Sequence, residues 1–179
     1  MNYVDVLSFW FDDIKPAQWW VKDLDFDSLV ERRFSALHEQ ANRCELFAWR
    51  ASAKGRLAEI IVLDQFSRNM FRDTPKAFGS DPLALALAQE AVALGVHNDL
   101  TEMERSFMIM PFMHSESLIV HDAALTLFIA NGIPESLNSA RRHRAIIEQF
   151  GRYPHRNLIL GRASTPEELE FLTQPGSSF

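Results

Sequence analysis

The sequence predicts an all-α protein of about seven helices, stacked as pairs in an array or folded into a compact bundle. Apolar residues recur at helical spacing along most of the chain, and strand-like alternation is hard to find. Glycine is scarce, with seven in 179 residues. Capping residues also stand where apolar runs begin, as in Thr101 with Glu104.

Taken in order, Tyr3 to Phe11 reads as a short helix that ends before Pro16. Asp27 is a fair N-cap for a helix to about Arg43, with Leu29, Val30, Phe34, Leu37 and Ala41 inward. Gly55 precedes a strongly apolar helix from about Arg56 to Phe71. Pro75 and Gly79 mark a loop, and Ser80 or Asp81 caps a helix to about Leu94, stopped by Gly95. Thr101 opens a long helix to about Ala130, stopped by Asn131-Gly132. Pro134 starts another, ending at Gly151, and Thr165-Pro166-Glu167-Glu168 opens a short one to about Leu172. Residues 1–179 are expected to form one domain, with an acidic helix and loop over 1–25 and a frayed tail over 174–179.

Composition narrows the function classes. Forty-seven per cent of residues are apolar and 23% charged, which is globular composition. The net charge of −6 argues against a nucleic-acid binder, which needs a basic face. A lone cysteine, Cys44, excludes an internal disulfide and a multi-cysteine zinc site. No basic leader opens the chain, and the apolar run Phe107 to Met113 is far short of the roughly 20 residues of a membrane span. A cytoplasmic protein without a membrane partner is expected.

Charge is unevenly spread. Residues 1–27 hold Asp5, Asp12, Asp13, Asp23, Asp25 and Asp27 against Lys15 and Lys22, a net of −4. Residues 141–162 hold Arg141, Arg142, Arg144, Arg152, Arg156 and Arg162 against Glu148, a net of +5. The second segment could face the first or an anion, and arginine is the better fork for carboxylate and phosphate.

One internal repeat stands out. Val62-Leu63-Asp64-Gln65-Phe66-x-Arg68-x-x-x-Arg72 is echoed by Ile146-Ile147-Glu148-Gln149-Phe150-x-Arg152-x-x-x-Arg156. In each copy an acid precedes an arginine by four residues, an internal ion pair on a helix, and a second arginine follows one turn later. A duplicated structural helix is one reading. The other is that Arg68, Arg72, Arg152 and Arg156 converge on one site with His114. The helix around Asp64 is apolar nearly all round, so Asp64, Gln65, Arg68 and Asn69 cannot all face water and must be paired. Arg156 lies past the helix end, so its loss should spare the core.

The run Phe107 to Met113 is apolar on every face and contains Pro111, which predicts a kinked central helix leading into His114-Ser115-Glu116. On a straight helix His114, Ser117 and His121 share one face, and Glu116 points nearly opposite. Gly151-Arg152-Tyr153-Pro154-His155-Arg156-Asn157, followed by Leu160-Gly161-Arg162, reads as a rigid turn rich in polar side chains.

These stretches, with Leu63 to Arg72, Thr74-Pro75-Lys76-Ala77-Phe78, Pro111 to Glu116 and Leu160 to Thr165, resemble the bacterial family of domain of unknown function 924. The resemblance spans most of the chain. It implies a tetratricopeptide-like, right-handed all-helical fold and brings no established activity. Ser67 stands where the family has proline, and His121 where it has glutamine.

Two functions follow as expectations. The first is a site for a small anionic ligand bearing phosphate or carboxylate. Arg68, Arg72, Arg152, Arg156 and Arg162 would clamp it, Gln65, Asn69, Asn157 and His143 would read its polar groups, and Asp64 and Glu148 would orient arginines. His114 or His155, with Glu116 or Asp64 as orienter, would supply any acid/base chemistry. The second is a helical-repeat module that binds acidic peptide segments. No Walker loop, dinucleotide fingerprint, nucleophile elbow or HExxH spacing is present, so no cofactor or metal is expected and no reaction is named.

Overall fold

Side-chain caps and backbone breakers cut the chain into short helices whose apolar faces decide how they stack. The computed structural model describes residues 1–178, and these contain helices and no strand. Helix α1 (Tyr3–Ser8) starts at Asn2 with a capping box and continues as a π-turn over Phe9–Asp13. Helix α2 (Leu24–Asn42) is capped by Asp23, not by Asp27 as expected. Asp27 lies inside the first turn, and its carboxylate is taken by Asn69 at 2.8 Å and Arg72 at 2.7 Å. Val30, Phe34, Leu37 and Ala41 are buried as the helical period requires, whereas Leu29 falls outside that stripe and is exposed.

Helix α3 (Ala53–Ile61) runs through a π-turn over Val62–Phe66 into α4 (Ser67–Met70). Ser67 keeps the chain helical: its hydroxyl donates to the Leu63 carbonyl at 2.6 Å and meets His38 Nε2 at 2.7 Å. Pro82 lies in the first turn of α5 (Asp81–Ala93), and Gly95 follows the helix at φ 72°. The Thr101–Glu104 capping box opens α6 (Glu102–His114) as expected.

The single long helix expected over 101–130 is in fact two, α6 and α7 (Leu118–Asn131). The chain is extended at Ser115 and Ser117. Pro111 removes one helical donor, and side chains take over carbonyls at the break. The Tyr153 hydroxyl donates to Met113 O, and His121 Nε2 meets Ser115 O at 2.8 Å. Helix α8 (Pro134–Phe150) stops at Gly151, whose φ of 68° suits a residue without Cβ. A 3-10 turn over Pro154–Arg156 follows, and α9 (Pro166–Leu172) begins with a capping box between Thr165 and Glu168. Residues 174–178, expected to fray, form a turn in which the buried Ser177 donates to Leu172 O at 3.2 Å. The rest of that expectation, at Phe179, lies outside the described residues.

The helices form a compact bundle. Helix α1 packs on α3, α2 on the π-turn and α4, α5 on α3 and α6, and α6, α7 and α8 succeed one another. The main core is aromatic, with Phe9, Trp10, Phe34, Phe66 and Phe107 among its fully buried side chains. A smaller cluster of Ile146, Ile147 and Tyr153 holds α8 and α9 through Phe150 and Phe171. Among the described residues no helix is long and apolar enough to cross a membrane.

Gly55 is where two segments approach too closely for a side chain. A Cβ there would lie 2.0 Å from the Trp49 carbonyl oxygen, a backbone atom that cannot swing away. Gly55→Ala should therefore destabilise by about 3 kcal/mol, despite alanine's better helix propensity. Urea denaturation checks this, and a variant as stable as the parent would contradict the packing.

Candidate functional site

The site grows from one buried carboxylate. Asp64 lies within the π-turn of the central helix and is 1% exposed. Arg68, one turn on, places Nη1 2.9 Å from Asp64 Oδ1, the expected intrahelical pair. His114, at the C-terminus of α6, places Nδ1 2.7 Å from the same oxygen, and Gln65 Nε2 donates to Oδ2 at 2.6 Å. The Arg68 fork also donates to both oxygens of Asp81, at 2.9 and 3.0 Å. Asp81 in turn accepts one 3.4 Å contact from Arg156 Nη1.

Arg156 is 5% exposed. Its guanidinium carbon lies 4.5 Å from the ring centroids of both Phe78 and Tyr153, a cation–π sandwich. Its Nε is buried and has no hydrogen-bond partner among the described residues. Glu116 is held by the Arg162 fork, with Nη2 at 2.8 Å, and accepts the Tyr153 N–H at 2.8 Å. His114, Glu116, Asp81 and Arg156 line a cleft of about 460 Å³ whose remaining wall includes Phe78 and Leu160. It opens where α5, the end of α6 and the loop after α8 meet.

Burial works to raise the Asp64 carboxyl's pKa, but the Arg68 charge and the hydrogen bonds from His114 and Gln65 outweigh it and keep the group ionised. Burial, and then the Arg68 charge, push His114 below the usual imidazole value against the pull of Asp64. Burial and Arg68 also lower the Arg156 guanidinium, with Asp81 opposing. For Arg68 itself, Asp64 and Asp81 overcome burial and raise it. Burial takes His143 down to about 3 and His155 down to about 4.

Asp64, Gln65, Arg68, His114, Glu116, Arg156 and Arg162 are thus brought together. His143 and His155 stand behind the cleft against the Tyr153 ring, with centroids at 5.8 and 5.5 Å. The other expected residues do not join. Asn69 and Arg72 turn to Asp27 on α2. Arg152 forks onto Glu168 of α9, and Asn157 donates to Ser164 and Glu168 and meets the cluster only through Arg162, whose Nε–H it accepts at 3.0 Å. Glu148 is exposed and pairs with Arg144 at 2.7 Å, not with Arg152. The reason is local: Gly151 ends α8 one residue before Arg152, so the two no longer share a helix face. The four repeat arginines therefore do not converge. Arg68 and Arg156 meet at Asp81, although they occupy different positions in the two copies. The break after His114 also puts Glu116 on the same cleft as His114, which a straight helix forbids. Arg156 is buried rather than peripheral.

Asp81, Phe78 and Tyr153 complete the site and were not anticipated. Asp81 read as a helix cap, yet its carboxylate serves arginines.

The chain belongs to the family described as bacterial protein of unknown function, DUF924, which matches residues 6–176. It is also similar to a solved structure, a protein of unknown function, ATU0120, from Agrobacterium tumefaciens. The two are 40% identical, with a TM-score of 0.90 over 95% of this chain and 96% of that one. No curated protein matches the chain.

Two outcomes follow from the buried charges. Asp64→Ala should cost about 1–3 kcal/mol in urea denaturation, because His114 and Gln65 lose their buried acceptor while Arg68 keeps Asp81. Acid should also destabilise the parent. An imidazole depressed in the folded state contributes its stability above the unfolded value of 6.5, and that contribution falls as pH drops toward the folded value. For His143 this is a loss of about 2 kcal/mol between pH 7 and pH 5. A flat Tm over that range would contradict the burial.

Proposed function

We propose that this protein uses the cleft at Arg156 to bind a small anionic ligand carrying a carboxylate or phosphate, and that it works in the cytoplasm, where a lone exposed thiol such as Cys44 stays reduced. The observation that carries the reading is the state of Arg156. A guanidinium has five N–H donors, and this buried one makes a single side-chain hydrogen bond, a long one of 3.4 Å. A buried cation so poorly partnered is costly unless an anion completes it.

The His114–Asp64 pair supports acid/base chemistry on the bound ligand. Asp64, ionised, accepts a hydrogen bond from the Nδ1–H of His114, which leaves Nε2 as the acceptor. With its pKa lowered, the imidazole is neutral at pH 7 and is able to take a proton. A cleft of about 460 Å³ suits a metabolite better than an acidic peptide, which needs an extended groove.

Arg156→Met tests this, because it keeps an aliphatic filler between Phe78 and Tyr153. In calorimetric titrations with inorganic phosphate and small carboxylates, the parent should bind at least one class. The variant should remain folded and bind that class about 10- to 100-fold more weakly, the worth of a hydrogen bond to a charged group. Equal affinity in a folded variant would remove Arg156 from the site.

A further inference from the structure

The lining of the cleft narrows the ligand. We infer that it is a monoanion with an apolar body: a carboxylic acid whose carboxylate meets Arg156 and whose hydrocarbon or aromatic part lies along Phe78, Leu85, Pro111 and Leu160. This rests on the anion-binding reading above and goes further by choosing between the two anion classes.

Charge decides the head group. Arg68, Arg156 and Arg162 stand against Asp64, Asp81 and Glu116, so the cluster is balanced before any ligand enters. Asp64 is answered by Arg68 and His114, and Glu116 by the Arg162 fork. Arg68 grips Asp81 with two nitrogens, which leaves Arg156 the longer, single contact. The positive charge on offer is therefore a fraction of one guanidinium. A phosphate monoester near its second ionisation would bring nearly two negative charges to that fraction. It would also face two carboxylates, Asp81 and Glu116, on the same walls. The N-terminus of α5 does not redress this. Pro82 has no N–H, and the Asp81 carboxylate already occupies that end of the helix. His114 adds no charge when neutral. One carboxylate is what Arg156 can accept, in the planar fork that a guanidinium favours.

Shape and polarity decide the body. Phe78, Leu85, Pro111 and Leu160 offer carbon surface, joined by Pro75 and Pro82, and Ser115 is the one hydroxyl side chain on the lining. The volume falls in the roughly 300–1,000 Å³ range of small-molecule sites, more than acetate needs. A ligand that only neutralised Arg156 would leave this surface in contact with water. One with an apolar body would cover it and exclude water from the ion pair, which strengthens that pair.

The test is calorimetric titration of the whole chain at pH 7.5 with inorganic phosphate, acetate, butanoate, octanoate, octyl phosphate and octanol. Octanoate should bind tightest. Affinity should rise about two- to fourfold per methylene along the carboxylates, as buried CH₂ groups dictate. Octyl phosphate and octanol should bind at least tenfold more weakly than octanoate. Leu160→Gln, which adds polarity without charge, should weaken octanoate far more than acetate. If octyl phosphate or inorganic phosphate equals or beats octanoate, or if chain length has no effect, the carboxylate inference is overturned and the anion site stands. If octanol matches octanoate, or no anion binds, the anion reading fails as well.

Discussion

Asp64 is a carboxylate in the middle of the central helix, almost wholly removed from water, and its charge has to be met. Most of the site follows from that need. Arg68 and His114 answer it, and each is thereby fixed in place. Arg68 is itself partly buried and carries more donors than Asp64 can use, so it recruits Asp81 from the start of α5. Asp81 spends both oxygens on that fork and has only a long contact left for Arg156. The chain of partners thus ends on a buried cation held mainly by two aromatic faces. The ligand site is the unfinished end of a structural network rather than a feature added to the fold.

The bundle places that end at a seam. The main core runs from α1 to Ala140 in the first half of α8, while the end of α8 and α9 hold together through a smaller cluster around Tyr153. The ring of Tyr153 covers one face of Arg156, and its hydroxyl secures the carbonyl of Met113 where α6 breaks. One side chain therefore joins the smaller cluster, the helix break and the cation. The break matters because it turns Glu116, held by Arg162, toward the cleft that His114 already faces.

Much of this was legible in the sequence. Helix stops at Gly95, Gly132 and Gly151 and the capping boxes at Thr101 and Thr165 are local signals, and each stands where local chemistry puts it. The buried Asp64–Arg68 pair followed from an acid and an arginine four apart on an apolar helix. What was not legible depends on tertiary partners. Nothing local tells Asp23 from Asp27 as a cap until Arg72 and Asn69 claim Asp27. The break after His114 needs Tyr153 and His121 to take carbonyls from a distance. Asp81 looks like any residue at a helix start until two arginines arrive. The repeat misled because one copy stays helical through its arginine, whereas the other has ended at Gly151 before reaching it.

The central claim is that Arg156 is the anchor for an acid with an apolar body. A crystal structure soaked with 8-bromooctanoate tests it directly, because bromine reports its position by anomalous scattering. The account predicts a carboxylate paired with Arg156 and a bromine peak against the wall of Phe78, Leu85 and Leu160, with the Arg68–Asp81 fork undisturbed. A bromine peak only elsewhere on the protein, with Arg156 still bound to nothing but Asp81, would contradict it.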